Sequence, residues 1–99
     1  MENSQVRSTE AEKYKFILFT SGMSGKSVTA IENLRKICDR HLQGICDIQI
    51  VDLSRDNHLA AEHQIIAIPT LIKTNPDPPR MILGDLSDTE KVLRILEIN

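Results

Sequence analysis

A single α/β domain is predicted by three observations. Residues 14–53 read strand, helix, strand; the apolar residues switch between alternating and helical spacing; and Gly or Pro punctuates the segments. Ninety-nine residues suffice for one domain with a modest core. Residues 1–12, "MENSQVRSTEAE", are polar and aperiodic, with three acids against one base, and are expected to be a disordered tail before a domain at 13–99.

"YKFILFT", 14–20, is aromatic and β-branched, with apolar residues on both parities, so it predicts a strand covered on both faces. "SGKSVTAIENLRKICDRHLQG", 24–44, places Val28, Ile31, Leu34, Ile37/Cys38 and Leu42 at helical spacing. Ser24 or Ser27 is its expected N-cap and Gly44 its stop. "ICDIQIVDL", 45–53, alternates and predicts a second strand, which makes a parallel βαβ unit.

Residues 54–64, "SRDNHLAAEHQ", predict a short helix, and "IIAIPTLIKT", 65–74, leads through Pro69 into a third strand. "NPDPP", 75–79, is a proline-rich turn, and "RMIL", 80–83, can return as an antiparallel partner. After Gly84, "LSDTEKVLRILEIN" opens on a capping box, Ser87-x-x-Glu90, ahead of Val92, Leu93 and Leu96. The order is β-α-β-α-β-β-α.

Composition excludes several function classes. Fourteen acids against 12 bases leave no basic excess to grip a nucleic acid, and three aromatic residues are too few for base stacking. Apolar runs are far too short to span a membrane, and no basic-then-apolar leader opens the chain, so a cytoplasmic location is expected.

"FILFTSGMSGKSVTAI", 16–31, resembles a phosphate-binding loop but fails on spacing. Gly25-Lys26-Ser27 supplies the end of the pattern, while the first glycine should stand at position 20, which is Thr20; Gly22 comes too late. Asp52 is the weak candidate for magnesium. No cofactor is expected. Cys38 and Cys46 lack C-x-x-C spacing and are expected to be free, buried and hydrophobe-like. His58 and His63 stand five apart, too far around a helix to converge on a metal, and Cys38 with His41 needs further ligands; no metal site is expected.

The element order, with "AIPTL" entering the third strand, resembles the thioredoxin fold, in which a cis-proline commonly faces the first strand–helix turn. Pro69 is the matching position. The turn, "TSGMSGKS", carries no cysteine, so a thioredoxin-like redox enzyme, which would have to use Cys38 or Cys46, is the disfavoured reading.

A more specific resemblance is to the KaiB family, over roughly residues 14–96. It rests on "LFTSGMSGKS", "AIPTL" and, above all, "PDPPRMILGDLSDTEKVL", in that order. The resemblance implies a non-enzymatic protein that binds the hexameric ATPase KaiC and favours its dephosphorylation, in circadian timing or stress adaptation. It also implies a metamorphic homo-oligomer, whose tetrameric form has a β-α-β-β-α-α-β order.

Carried over position by position, the partner-binding residues are Arg55, Lys73 and Arg80, and the switch or turn residues are Pro69, Pro76, Pro78, Pro79, Gly84 and Asp85. Met81, Thr29 and Asp56-Asn57 depart from the family pattern, and the chain stops at Asn99 without an acidic extension; these departures leave KaiA a doubtful partner, while the contact with KaiC could survive them. A KaiB-like sensor or adaptor in a histidine kinase pathway is the alternative binding role, set back by the end at residue 99. "KVLRILEI" fits a helix yet also alternates, and "QIIAI" adjoins the helix-favouring "LAAEH", so slow exchange between two folds is expected of the second half.

Overall fold

The computed structural model describes residues 13–22, 24–55 and 68–98. Strand β1 (Tyr14–Thr20) leads to helix α1 (Gly25–His41) and strand β2 (Cys46–Asp52). Strands β3 (Thr70–Asn75) and β4 (Arg80–Leu83) and helix α2 (Thr89–Leu96) follow. The expected helix at 54–64 lies outside the described residues beyond Arg55, as does the tail at 1–12.

The strands form one sheet in the order β2-β1-β3-β4. β1 and β2 are parallel, in register from Tyr14 opposite Cys46 to Thr20 opposite Asp52. β3 runs antiparallel to both β1 and β4. The helical crossover thus joins the parallel pair, and the proline-rich turn joins an antiparallel one.

Both faces of β1 are covered, as its two-parity pattern predicts. On one face Phe16, Leu18, Leu71 and Ile82 pack with Ala30, Leu34 and Ile37 of α1 and with Leu86, Val92 and Leu96. Opposite them, Phe19, Val51 and Ile72 form a smaller cluster with Ile17, Leu53 and Ile68 against it. Each fully buried Leu or Phe contributes about 1.5–3 kcal/mol, so the larger cluster dominates stability.

α1 is strongly delimited. The Ser24 hydroxyl accepts from the Ser27 N–H at its start. At its end the Cys38 carbonyl accepts from the N–H groups of Leu42 and Gly44, at 3.1 and 2.9 Å. Gln43 and Gly44 take φ of 55° and 74°, which turns the chain into β2.

α2 corrects the expected cap. Its N-cap is Asp88, whose carboxylate accepts from the Lys91 N–H, and not Ser87. The Ser87 N–H is already taken by the Asp85 carboxylate, 3.1 Å away, so the helix opens one residue later, on an anion that also suits the helix dipole. Glu97 ends the helix at φ 60°, and the Ile98 N–H returns to the Leu93 carbonyl, which folds Ile98 into the core. The described elements therefore follow the thioredoxin-like order, with "KVLRIL" helical. No helix among the described residues is long and apolar enough to cross a membrane.

Candidate functional site

Strand directions gather one set of loops at one end of the sheet. The C-termini of β1 and β2 and the start of β3 meet there, at Thr20, Asp52 and Thr70. The turn after β1 is held by hydroxyls. Buried Ser27 accepts from the Ser21 N–H at 3.1 Å, and its oxygen lies 2.9 Å from that of Ser24.

Asp52 Oδ1 accepts from the Gly22 N–H at 2.9 Å and from the N–H and hydroxyl of Ser54 at 2.9 and 2.6 Å. The Ser54 hydroxyl first, then the Gly22 N–H, hold this carboxyl below its ordinary value of 3.8. Asp52 thus clasps the first turn to the end of β2. Its contacts are those of a turn-fixing acid, not of a residue kept open for magnesium.

Pro69 is buried, and the Ile68–Pro69 bond is cis, as expected of that position. Its carbonyl accepts from the Gly84 N–H at 2.9 Å. Gly84 has φ 108°, a region that side chains resist. The next residue, Asp85, offers its carbonyl to Asn33 Nδ2 of α1 at 2.9 Å. Its carboxyl is held below the ordinary value by the Ser87 hydroxyl first and then by the Ser87 N–H. Three of the predicted turn residues, Pro69, Gly84 and Asp85, therefore form one chain from the entry of β3 to α1. Pro76, Pro78 and Pro79 lie at the opposite end, in the β3–β4 turn, where the bonds before Pro76 and Pro78 are cis.

Of the three predicted partner-binding bases, Lys73 and Arg80 are cross-strand neighbours and Arg55 stands apart from both, at the other end of the sheet. Arg55 is exposed just past β2, its N–H on the Asp52 carbonyl at 3.0 Å. Arg80 begins β4, at the far end of the sheet, and its guanidinium meets Glu97 at 3.0 Å. Lys73 pairs with Phe16 and Arg80 on the helix-covered face and is only 1% exposed. Its Nζ lies 5.9 Å from the centre of the Tyr14 ring, a cation–π placement. Spacing alone could not show this, because Lys73 follows the consecutive apolar residues Leu71 and Ile72 and its face is set by pairing with β1.

Cys38 and Cys46 are joined in a disulfide, which corrects the expectation of free thiols. The crossover returns the C-terminus of α1 beside the start of β2, so residues eight apart in sequence come within 6.2 Å at Cα. This is the end of the sheet away from Pro69 and the α1 N-terminus, where a thioredoxin keeps its reactive pair. Ser24 and Ser27 stand there instead. Among the described residues no three His, Cys, Asp or Glu side chains cluster as metal ligands would; His41 is exposed, and His58 and His63 lie outside the described residues.

Sequence reasoning missed the serine cluster and the Asp52 clasp. Two signals were available: Ser24-x-x-Ser27 opening a helix, and Asp52-x-Ser54 as an Asx-type turn.

Residues 17–98 match the KaiB domain family. The circadian clock oscillator protein KaiB of Gloeothece citriformis is 39% identical over 90 residues, which span 91% of this chain and 85% of the relative. KaiB of Synechococcus elongatus is 40% identical over 85 residues, 86% of this chain and 83% of that one. Among solved structures, the N-terminal domain of Synechococcus elongatus SasA aligns with a TM-score of 0.72 at 18% identity, covering 88% of this chain and 86% of that domain. Fasciola hepatica thioredoxin aligns at 0.69 with 12% identity, over 96% and 89% of the two chains. These two likenesses establish the thioredoxin-like fold. With the family match spanning β1 to the end of α2, the chain belongs to the KaiB family of circadian clock proteins.

Proposed function

We propose that this chain is a non-enzymatic regulator that binds a KaiC-type ATPase and shifts its phosphorylation state. Family membership over residues 17–98 carries the reading. The site chemistry agrees with it: the first turn offers serine hydroxyls where redox relatives of the fold need thiolates, and the linked cysteines sit away from that turn. Arg55 and Arg80 are the contact residues of this proposal. Arg80 can leave Glu97 at little cost, since the two side chains are 38% and 55% exposed and such pairs contribute about 0–1 kcal/mol. Lys73 is dropped as a direct contact of this arrangement because it is buried.

The test is a pull-down with the host's KaiC-like ATPase in each nucleotide state. Wild type is expected to be retained. Arg55→Ala and Arg80→Ala should each weaken capture, the double variant by about tenfold or more, mainly through slower association. Failure of the wild type in every nucleotide state would overturn the proposal, and capture by a histidine kinase instead would favour the adaptor role.

The family's second arrangement is part of the same proposal. Here α2 is eight residues long, below the roughly 12–15 at which an isolated helix becomes even marginal, so it depends on docking Val92 and Leu96. On this reading the second half exchanges slowly with the alternative arrangement, in which the chain forms a homo-oligomer, and the dependence of α2 on docking is the feature that supports it. Two sets of NMR signals whose ratio tracks chain concentration would support it; one set at every temperature and concentration would contradict it.

A further inference from the structure

We infer that Cys38 and Cys46 form a reversible redox modification site, one that exchanges with dithiol reductants and sets the rigidity of the edge strand β2. Three observations carry this. First, the pairing is fixed by the fold: the end of α1 and the start of β2 bring the Cα atoms to 6.2 Å, within the range of about 4.4–6.8 Å that a disulfide spans. Second, the two residues differ in exposure, with Cys38 buried at 5% and Cys46 half-buried at the head of β2. Third, the link closes the same short loop that the Cys38 carbonyl closes through the Leu42 and Gly44 N–H groups.

The chemistry follows from that asymmetry. A thiolate of the dithiol attacks Cys46 Sγ, forms a mixed disulfide there, and expels Cys38 as a thiolate, which takes a proton. The second thiol of the reductant then attacks its own sulfur in the mixed disulfide and releases Cys46. Two electrons pass to the protein, and the dithiol leaves as a cyclic disulfide. Cys38 leaves at the C-terminal end of α1, whose carbonyls disfavour negative charge, so a chelating dithiol should outperform a monothiol at equal thiol concentration.

The consequence falls on β2. It is an edge strand whose sheet neighbour is β1, and exposed Ile45 precedes it. In the oxidised chain the helix end and the strand start cannot part. After reduction the capping hydrogen bonds, local packing and the pairing of β2 with β1 hold them, so Gln43–Ile45, which precede that pairing, should loosen first. The site is independent of the proposed ATPase binding and would stand if that proposal failed.

The test uses the full chain purified without reductant. Alkylation in denaturant, read by mass spectrometry, should add nothing before dithiothreitol and two adducts per chain after it. Under native conditions the dithiol should lower the Tm by about 10 °C, as expected for a closed loop of this length. Removing it in the presence of oxidised glutathione should restore the original value. Cys46→Ser should match the reduced wild type and ignore the dithiol; if that variant does not fold, reduced wild type reads the same state without a substitution. Two free thiols in the air-purified chain, a Tm that moves by less than about 2 °C on full reduction, or failure to re-form the link would each overturn the inference.

Discussion

The two halves of this molecule are held in different ways. In β1–α1–β2, local signals agree with the tertiary structure: a 17-residue helix is capped by Ser24, closed by the Cys38 carbonyl and tied to β2 by the disulfide. In β3–β4–α2 the elements are 6, 4 and 8 residues long. Positive φ does not separate the halves, since Gly22, Gln43 and Gly44 need it in the first and Gly84, Leu86 and Glu97 in the second; element length and local capping do. The first half is specified residue by residue. The second is specified mainly by what it docks against, the property on which the proposed second arrangement rests.

Paired cavities give the largest expected effects. Leu34 of α1 and Leu96 of α2 are both buried in the same cluster, so Leu→Ala at either should cost about 2–5 kcal/mol in denaturant unfolding. The comparison predicts a difference in kind. Leu34→Ala should lower the stability of the whole domain, whereas Leu96→Ala should leave native NMR shifts across β1 and α1 while those of β4 and α2 are lost. Uniform loss in both variants would break the comparison.

Backbone geometry comes next. Gly84→Ala places a Cβ at φ 108°, and although nothing beyond the neighbouring residues lies within 4 Å of that Cβ, the conformation itself should cost about 1–3 kcal/mol. A thermal scan should show a lowered Tm. An unchanged Tm would mean that the turn relaxes freely and that the Pro69–Gly84 hydrogen bond does not hold it.

Caps offer a finer contrast. Asp88→Ala and Ser24→Ala should each cost about 1 kcal/mol. Because α2 is short, Asp88→Ala should also speed amide exchange through Thr89–Leu96, while Ser24→Ala should affect only the first turn of α1.

The smallest effect is a pH dependence. Asp52 is held below 3.8 by the Ser54 hydroxyl and by the Gly22 and Ser54 N–H groups, so its contribution is present at neutral pH. That contribution disappears as pH falls below about 4 and through the lowered folded value. Asp52→Asn should therefore be less stable than wild type at pH 7, with the two stability curves converging in acid. Parallel curves from pH 7 to pH 3 would show that the clasp does not act through its charge.

What was legible in the sequence divides along the same line. β1, α1 and β2 were readable because apolar spacing, caps and turn residues in "YKFILFT" through "ICDIQIVDL" all favour one answer. The return strand "RMIL" was readable from the prolines before it and Gly84 after it. The α2 cap was misassigned because Ser87 and Asp88 are both good caps, and only the Asx-type turn at Asp85 decides between them.

Lys73 and the two arginines show a different limit. Their residue types suited a partner, but burial of Lys73 and the separation of Arg55 from Arg80 are set by strand pairing, which no local pattern contains. The disulfide was missed for a related reason. Its spacing matches no redox motif, and its proximity comes from the crossover returning to the foot of β2.

Native-state amide hydrogen exchange tests the division most directly, because β3 separates the two explanations. By position β3 is interior, flanked by β1 and β4, and four of its residues are buried. If the second half is one weakly specified unit, β3 amides will open with the same free energy as those of β4 and α2, below that of β1 and α1. If β3 opens only with β1, at the global unfolding free energy, protection follows place in the sheet, and the proposed divide between the halves is wrong.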